Sequence, residues 1–251
     1  MSSEDPDQTN APSAFPDTRW SLVVGVRQGA EDENRAERAL AELCELYWFP
    51  LYVFVRRRGY SAHDAEDMTQ GFLARLIERG DFGSANQEKG RLRSYLLGAL
   101  KNYLADRHKR DNAQKRGGGA QTISIDSGEA EQRYALEPRD EQTPEHVFER
   151  RWALTVLENI LARLNDEYAA KGKAEQFAVL QPMLAWGDAE KTDYESAATA
   201  LGTSENNVRV SLHRLRKRYG ELMRAEIAET VAEESEIDSE LQHLMSVLRT
   251  G

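Results

Sequence analysis

Between Arg209 and Arg218 the chain carries five Arg or Lys residues and no acid, inside the segment NNVRVSLHRLRKRYGELM at 206–223. Guanidinium groups bond guanine edges bidentately, asparagine amides pair with adenine, and clustered cations neutralise phosphates. The apolar residues of the same segment decide how those groups point. Val208, Leu212, Leu215, Tyr219 and Leu222 recur at steps of four, three, four and three, which at ~100° per residue makes one stripe of a helix. Asn206, Val210, His213, Arg214 and Lys217 then fall on the opposite face, with Arg209, Arg216 and Arg218 on its flanks. Upstream, Tyr194, Ala197, Ala198 and Leu201 form a short amphipathic helix ended by Gly202. Ser204 is placed to cap the helix that follows, with Glu205 beside its N-terminal dipole. Two helices joined by a tight turn, the second one basic, make a helix-turn-helix, in which the second helix enters the major groove of DNA. A solvated basic face would carry the same charges; the small alanines and the glycine of the turn favour DNA contact.

The rest of the chain must position that helix. Its 251 residues have a formal net charge of −10, yet the charge is uneven: residues 1–110 carry −1, 111–145 carry −4, 146–225 carry +1 and 226–251 carry −6. Two nearly neutral blocks are thus joined by an acidic segment and followed by an acidic tail, so whole-chain acidity does not argue against nucleic-acid binding. A hydrophobic fraction of 40% and a charged fraction of 30% suit a globular protein. No apolar run approaches the ~18–20 residues of a membrane span, and the acidic, polar start of the chain resembles neither a secretory signal nor a transit peptide. A cytoplasmic location is expected. The single cysteine, Cys44, excludes an internal disulfide and a cysteine-based zinc cluster; with Leu40, Leu43 and Tyr47 at helical spacing, it reads as a small core residue.

Helical periodicity dominates. A first ordered segment is expected near Thr18–Trp20, then a helix with Ala36, Leu40, Leu43 and Tyr47 on one side, kinked or restarted at Pro50 and ended at Gly59. Ser61 caps a second helix, with Asp64 at the capping-box position and Ala65, Met68, Phe72, Leu76 and Ile77 as its stripe. The stretch 81–90 is a polar loop, and 91–110 a third helix. Glycines, prolines and acids between 111 and 143 read as a linker with a short helix near 129–136. Its triple glycine lacks the lysine and spacing of a phosphate loop and follows a helix rather than a strand, so it reads as a hinge. Thr143–Pro144–Glu145 starts a long helix with Phe148, Trp152, Leu157, Leu161 and Leu164 as core candidates, followed by a helical piece interrupted near Pro182. The tail carries Ile237, Leu241, Leu244 and Leu248 at helical spacing, an amphipathic helix with an acidic side. No segment alternates with a period of two, so the fold class is all-α.

Three stretches in this order resemble a sigma factor of bacterial RNA polymerase, of the extracytoplasmic-function group of the sigma-70 family. HDAEDMTQGFLARLIE at 63–78 is similar to the family's helix that grips the β′ clamp of the polymerase. LRSYLLGALKNYLADRHKR at 92–110 resembles its segment that melts and reads the −10 promoter element, and the helix pair at 193–222 its reader of the −35 element. The resemblance implies a boundary scheme: an N-terminal segment 1–17, sigma domain 2 at 18–112, a flexible acidic linker at 113–143, sigma domain 4 at 144–225 and an acidic extension at 226–251. It implies polymerase contacts at Asp64, Glu66, Asp67 and Gln70, all read as lying off the apolar stripe. It implies −10 contacts at Lys101, Asn102, Lys109 and Arg110, with the loop 82–91 placed to hold a flipped base. The −35 set is Ser204, Asn206, Asn207, Arg209, Val210, His213, Arg214 and Lys217. Expected partners are core RNA polymerase through its β′ clamp and β flap, promoter DNA, and an anti-sigma protein or other regulator acting through the extension; membrane insertion is not expected.

Some features depart from the family. Gly98 stands where it often has a basic residue, Leu92 where it often has phenylalanine, and the stretch 166–194 exceeds its usual spacer. The extension is also additional; docked on the chain or on a regulator, it would mask DNA-binding surface, and deleting residues 230–251 would raise promoter binding. No catalytic constellation is legible: His63, His108, His146, His213 and His243 are scattered without metal-ligand spacing, and no nucleophile elbow occurs. No cofactor and no metal are expected. Two other readings suit the residues, a dimeric helix-turn-helix regulator independent of polymerase and a helical adaptor that does not touch DNA.

Overall fold

A computed structural model describes residues 33–79, 91–114, 128–137, 142–184, 193–231 and 233–249. The expected first segment near Trp20, the loop 81–90 and most of the glycine-rich hinge lie outside them. Among the described residues there is no strand, and the fold is all-α. The helices are α1 (Glu33–Arg57), α2 (Ala62–Arg79), α3 (Leu92–Gln114), α4 (Gly128–Ala135), α5 (Pro144–Ala170), α6 (Ala174–Leu180), α7 (Tyr194–Ala200), α8 (Glu205–Ala228) and α9 (Ile237–Arg249). A 3₁₀ turn, Gln181–Leu184, follows α6 and contains Pro182, where the sequence breaks the helix.

Helix α1 runs continuously through Pro50, so the expected restart there does not occur. From Leu46 to Val55 every side chain but the half-buried Trp48 is buried. A helix apolar all round belongs in a core, and packing on that scale outweighs the one hydrogen bond the proline removes. The partners are α5 and α2. Helix α5 is the hub, touching α1, α6, α8 and α9 and burying Phe148, Trp152, Val156, Ile160 and Leu164. Its start follows the sequence: the Thr143 Oγ1 accepts from the His146 N–H at 3.2 Å, and Pro144 opens the first turn. The helices of both expected domains therefore contribute to one continuous core. Cys44 is half-buried against it, and burial, with Glu45 beside it, pushes the thiol up out of its ordinary range.

Part of the expected flexible linker is docked. Glu131 of α4 accepts from Arg56 Nη2 at 2.7 Å and from the Tyr52 hydroxyl at 2.7 Å, Tyr134 meets Tyr52 edge-on, and Arg133 lies over Phe49 at 4.0 Å. Glu137, buried, receives Arg151 at 3.3 Å. Two acids of the expected flexible linker, Glu131 and Glu137, are thus satisfied by arginines of α1 and α5. The hydrogen bond from Arg56 holds the Glu131 carboxyl below its ordinary range, against a smaller opposing effect of burial. A depressed carboxyl stabilises the docked state above its unfolded pKa, and that contribution is lost as pH falls through the folded value. Hydrogen-exchange protection of residues 128–137, corrected for the intrinsic rate at each pH, is expected to fall on acidification before that of α5 does; simultaneous loss would assign the docking to the aromatic contacts alone.

The C-terminal extension is the amphipathic helix the sequence foretold, and it docks on its own chain. Ile237, Leu244 and Val247 are buried, and α9 packs against α5 and α8. Its acidic side is aimed inward at one point. Glu240, only 1% exposed, receives Arg93 Nε at 2.6 Å and Arg91 Nε at 2.7 Å. Arg93, 3% exposed, also pairs with Glu149 of α5 and lies 5.2 Å over the Trp152 ring. Glu149 in turn meets His243 Nε2 at 3.0 Å. Thus α9 ties the start of α3 to the middle of the fold. It does not mask the exposed face of α8, whose residues 206, 207, 209, 210, 213, 214 and 217 all remain exposed, so the expected masking of that surface is corrected.

Candidate nucleic-acid interface

Helix α8 takes its orientation from its stripe. Val208, Leu212, Leu215, Tyr219 and Leu222 are all buried, joined by Met223 and Ile227. Burial drives the Tyr219 phenol up to about 12. The turn before it has Gly202 at φ 58°, a left-handed conformation that glycine adopts without strain. The Ser204 Oγ accepts from the Asn207 N–H at 3.3 Å, and Asn207 Nδ2 donates to Thr203 Oγ1 at 3.0 Å. Ser204 and Asn207 are therefore occupied in building the turn. Replacing Ser204 by Ala is expected to cost about 1 kcal/mol of stability, readable in urea unfolding; no loss would mean that Thr203 and Asn207 hold the turn alone.

The five basic residues between Arg209 and Arg218 divide into two groups. Arg209 pairs with Glu205 at 2.8 Å and lies 4.6 Å over the Tyr194 ring. Arg216 Nη2 donates to the Met183 carbonyl at 2.9 Å. Arg218 binds Glu167 of α5 at 2.6 Å and Glu221 at 3.2 Å; the guanidinium holds the Glu167 carboxyl below its ordinary range. Those three brace the helix. Arg214 and Lys217 are exposed and form no ion pair among the described residues. Asn206, Val210 and His213 share their exposure, Val210 unusually so for a large apolar side chain at 42%. The face left free is therefore Asn206, Val210, His213, Arg214 and Lys217, the set that helical geometry selects. Charge counting alone does not separate it from the bracing arginines.

The other expected contacts are distributed over α2 and α3. On α2, Asp64 and Gln70 are exposed and Asp67 half-buried, with His63 Nε2 3.7 Å from Asp67. Asp64 accepts from the Ser61 hydroxyl at 2.7 Å, and its N–H donates to the Ser61 Oγ at 3.1 Å, completing the cap. Glu66 is a correction: it is 7% exposed, accepts from Gln70 Nε2 at 3.1 Å, and leaves its Oε2 buried without a hydrogen bond among the described residues. It faces into the fold and is not part of the acidic surface. On α3, Asn102, Lys109 and Arg110 are exposed, whereas Lys101 pairs with Glu145 at 2.7 Å.

Between α2 and α3 lies an open groove of about 420 Å³ lined by Phe72, Arg75, Tyr95, Gly98, Asn102 and Tyr103. At Gly98 the groove is open, since a Cβ there would meet nothing within 4 Å. Gly71 lets it close at the back, because a Cβ there would lie 2.6 Å from the Tyr103 hydroxyl. Gly71→Ala is expected to raise stability by up to about 1 kcal/mol when Tyr103 is phenylalanine, and by less when the hydroxyl remains. Equal effects in the two backgrounds, measured by thermal unfolding, would remove that contact from the account.

No protein family, curated protein or solved structure matches this chain. Among the described residues no cluster of His, Cys, Asp or Glu has the arrangement of a metal site, and no helix is long and apolar enough to cross a membrane.

Proposed function

We propose that the chain is a sigma factor of the extracytoplasmic-function type, which binds core RNA polymerase and directs initiation at promoters with −10 and −35 elements. The observation that carries the reading is α8: a capped helix, braced by Arg209, Arg216 and Arg218 on its own chain, that leaves Asn206, His213, Arg214 and Lys217 unencumbered on one exposed face. Such a face supplies both base-reading and phosphate-neutralising groups.

Two further features support it. The acidic exposed side of α2, reduced to Asp64, Asp67 and Gln70, suits a basic helix of the polymerase clamp. The groove between α2 and α3 offers the half-buried Tyr95 ring beside the exposed Asn102 amide, and single-stranded bases stack on aromatic rings. The polymerase supplies the chemistry, and this chain supplies promoter choice.

The polymerase contact has its own test. Asp64→Arg with Asp67→Arg reverses charge at two positions of α2 and gives up the Ser61 cap contact; with folding checked by circular dichroism, the variant is expected to lose co-elution with bacterial core polymerase. Co-elution of the variant equal to that of the parent would overturn the α2 assignment. A stable homodimer protecting a palindrome without polymerase would replace the sigma reading with that of a conventional regulator.

A further inference from the structure

Helix α5 ends in a turn that the sequence singles out only as a longer spacer than usual. Gly172 has φ 68°; its N–H donates to the Ala169 carbonyl at 2.9 Å, and the Lys173 N–H to the Tyr168 carbonyl at 2.8 Å. This pair of bonds is the Schellman closure of a helix, with glycine in the left-handed position. The turn is fixed against α8 by Gln176 Nε2, which donates to Ser211 Oγ at 3.1 Å. Its consequence is electrostatic. Lys171 and Lys173, on either side of Gly172, are exposed and form no ion pair among the described residues. Lys171 lies near enough to Glu167 to help depress that carboxyl, which Arg218 already occupies.

Lys173 and Gly172 line the same open groove as Asn207, Val210 and Arg214 of α8, with Glu175 as the acid present. The corner and the free face of α8 therefore form one surface. Four cations on it lack carboxylate partners among the described residues: Lys171, Lys173, Arg214 and Lys217. A helix lying in a major groove has a phosphate strand along each side. Lysine is a compact, hydrated charge suited to phosphate and poorly suited to bidentate base reading.

We infer that the α5–α6 corner is a phosphate-backbone clamp. Lys171 and Lys173 hold one strand of the duplex whose groove α8 enters, adding affinity that is independent of sequence. The inference rests on the DNA-binding reading of α8 and adds to it two residues from outside the helix pair.

The test is a salt titration of the full chain binding a labelled random-sequence duplex, followed by anisotropy. Each phosphate contact contributes about 0.9 to the slope of log K against log salt. Lys171→Gln with Lys173→Gln is expected to lower that slope by about 1–2. Arg38→Gln with Arg249→Gln, which removes the same charge from exposed sites on α1 and α9, leaves it unchanged. Circular dichroism checks that each variant is folded. An unchanged slope for the lysine variant, alongside a weakened Arg214→Ala variant, overturns the clamp and leaves the reading of α8 intact. A lysine variant and control that fall equally reduce the effect to net charge and also overturn it. Absence of salt-dependent binding by the parent chain overturns both.

Discussion

Glu240→Ala is expected to destabilise the protein by about 3–5 kcal/mol, the cost of leaving a buried cation without its main partner. Arg93 is almost fully enclosed and donates to Glu240 from two nitrogens, at 2.6 and 3.2 Å. Glu149 alone would then have to satisfy a guanidinium that sits over Trp152 in the centre of the core. Chemical unfolding of the single variants gives the cost of each truncation. The double variant Arg93→Met, Glu240→Leu should recover a large part of the loss, because apolar replacement of a buried pair is often close to neutral. A loss under about 1 kcal/mol for Glu240→Ala would show that water reaches Arg93 and that α9 is held by its apolar side only.

The same geometry changes what truncating the tail should do. Residues 230–251 include Val231, Ile237, Leu244 and Val247, all buried, and the only buried carboxylate on Arg93 from α9. Their removal is expected to lower stability, while affinity of the remaining folded protein for a −35 duplex stays the same, since α9 leaves the exposed face of α8 uncovered.

Arg214→Ala is expected to cost about 1–3 kcal/mol on a −35 sequence, with relaxed preference at one base position. Lys217→Ala should weaken all sequences alike and lower the salt slope by about 1. The difference follows from chemistry, because a planar guanidinium bonds a base edge in two places and an ammonium does not. Arg209→Ala and Arg216→Ala should have smaller effects, since each of these side chains would first have to leave Glu205 or the Met183 carbonyl. Anisotropy on duplexes selected by the protein with polymerase measures all four. Equal loss on every sequence for Arg214→Ala would make it a phosphate contact.

The apolar stripe of α8, the caps at Thr143 and Ser204 and the glycine of the turn were legible because each is local. A helix period, a hydroxyl before a first turn and a glycine after a last one act within a few residues. What the sequence could not show depends on distant partners. Pro50 reads as a break until α5 and α2 enclose its helix. Glu131 of α4 and Glu137 just beyond it read as parts of a flexible linker until Arg56 and Arg151 meet them. Glu66 shares its heptad neighbourhood with Asp64 and Asp67, yet it lies against the fold rather than in solvent. On α8 likewise, charge is a local property and availability is not. Arg218 and Arg214 carry the same charge, but Glu167 on α5 and Glu221 occupy the first, and no carboxylate among the described residues pairs with the second.

Transcription in vitro, with bacterial core polymerase, the purified chain and a genomic promoter pool, tests the central claim most directly. Start sites are expected to appear only when chain and core are both present. They should share −10 and −35 sequences and fade with Arg214→Ala. Start sites that are the same with and without the chain, or DNA protection by the chain that core polymerase does not alter, would contradict it.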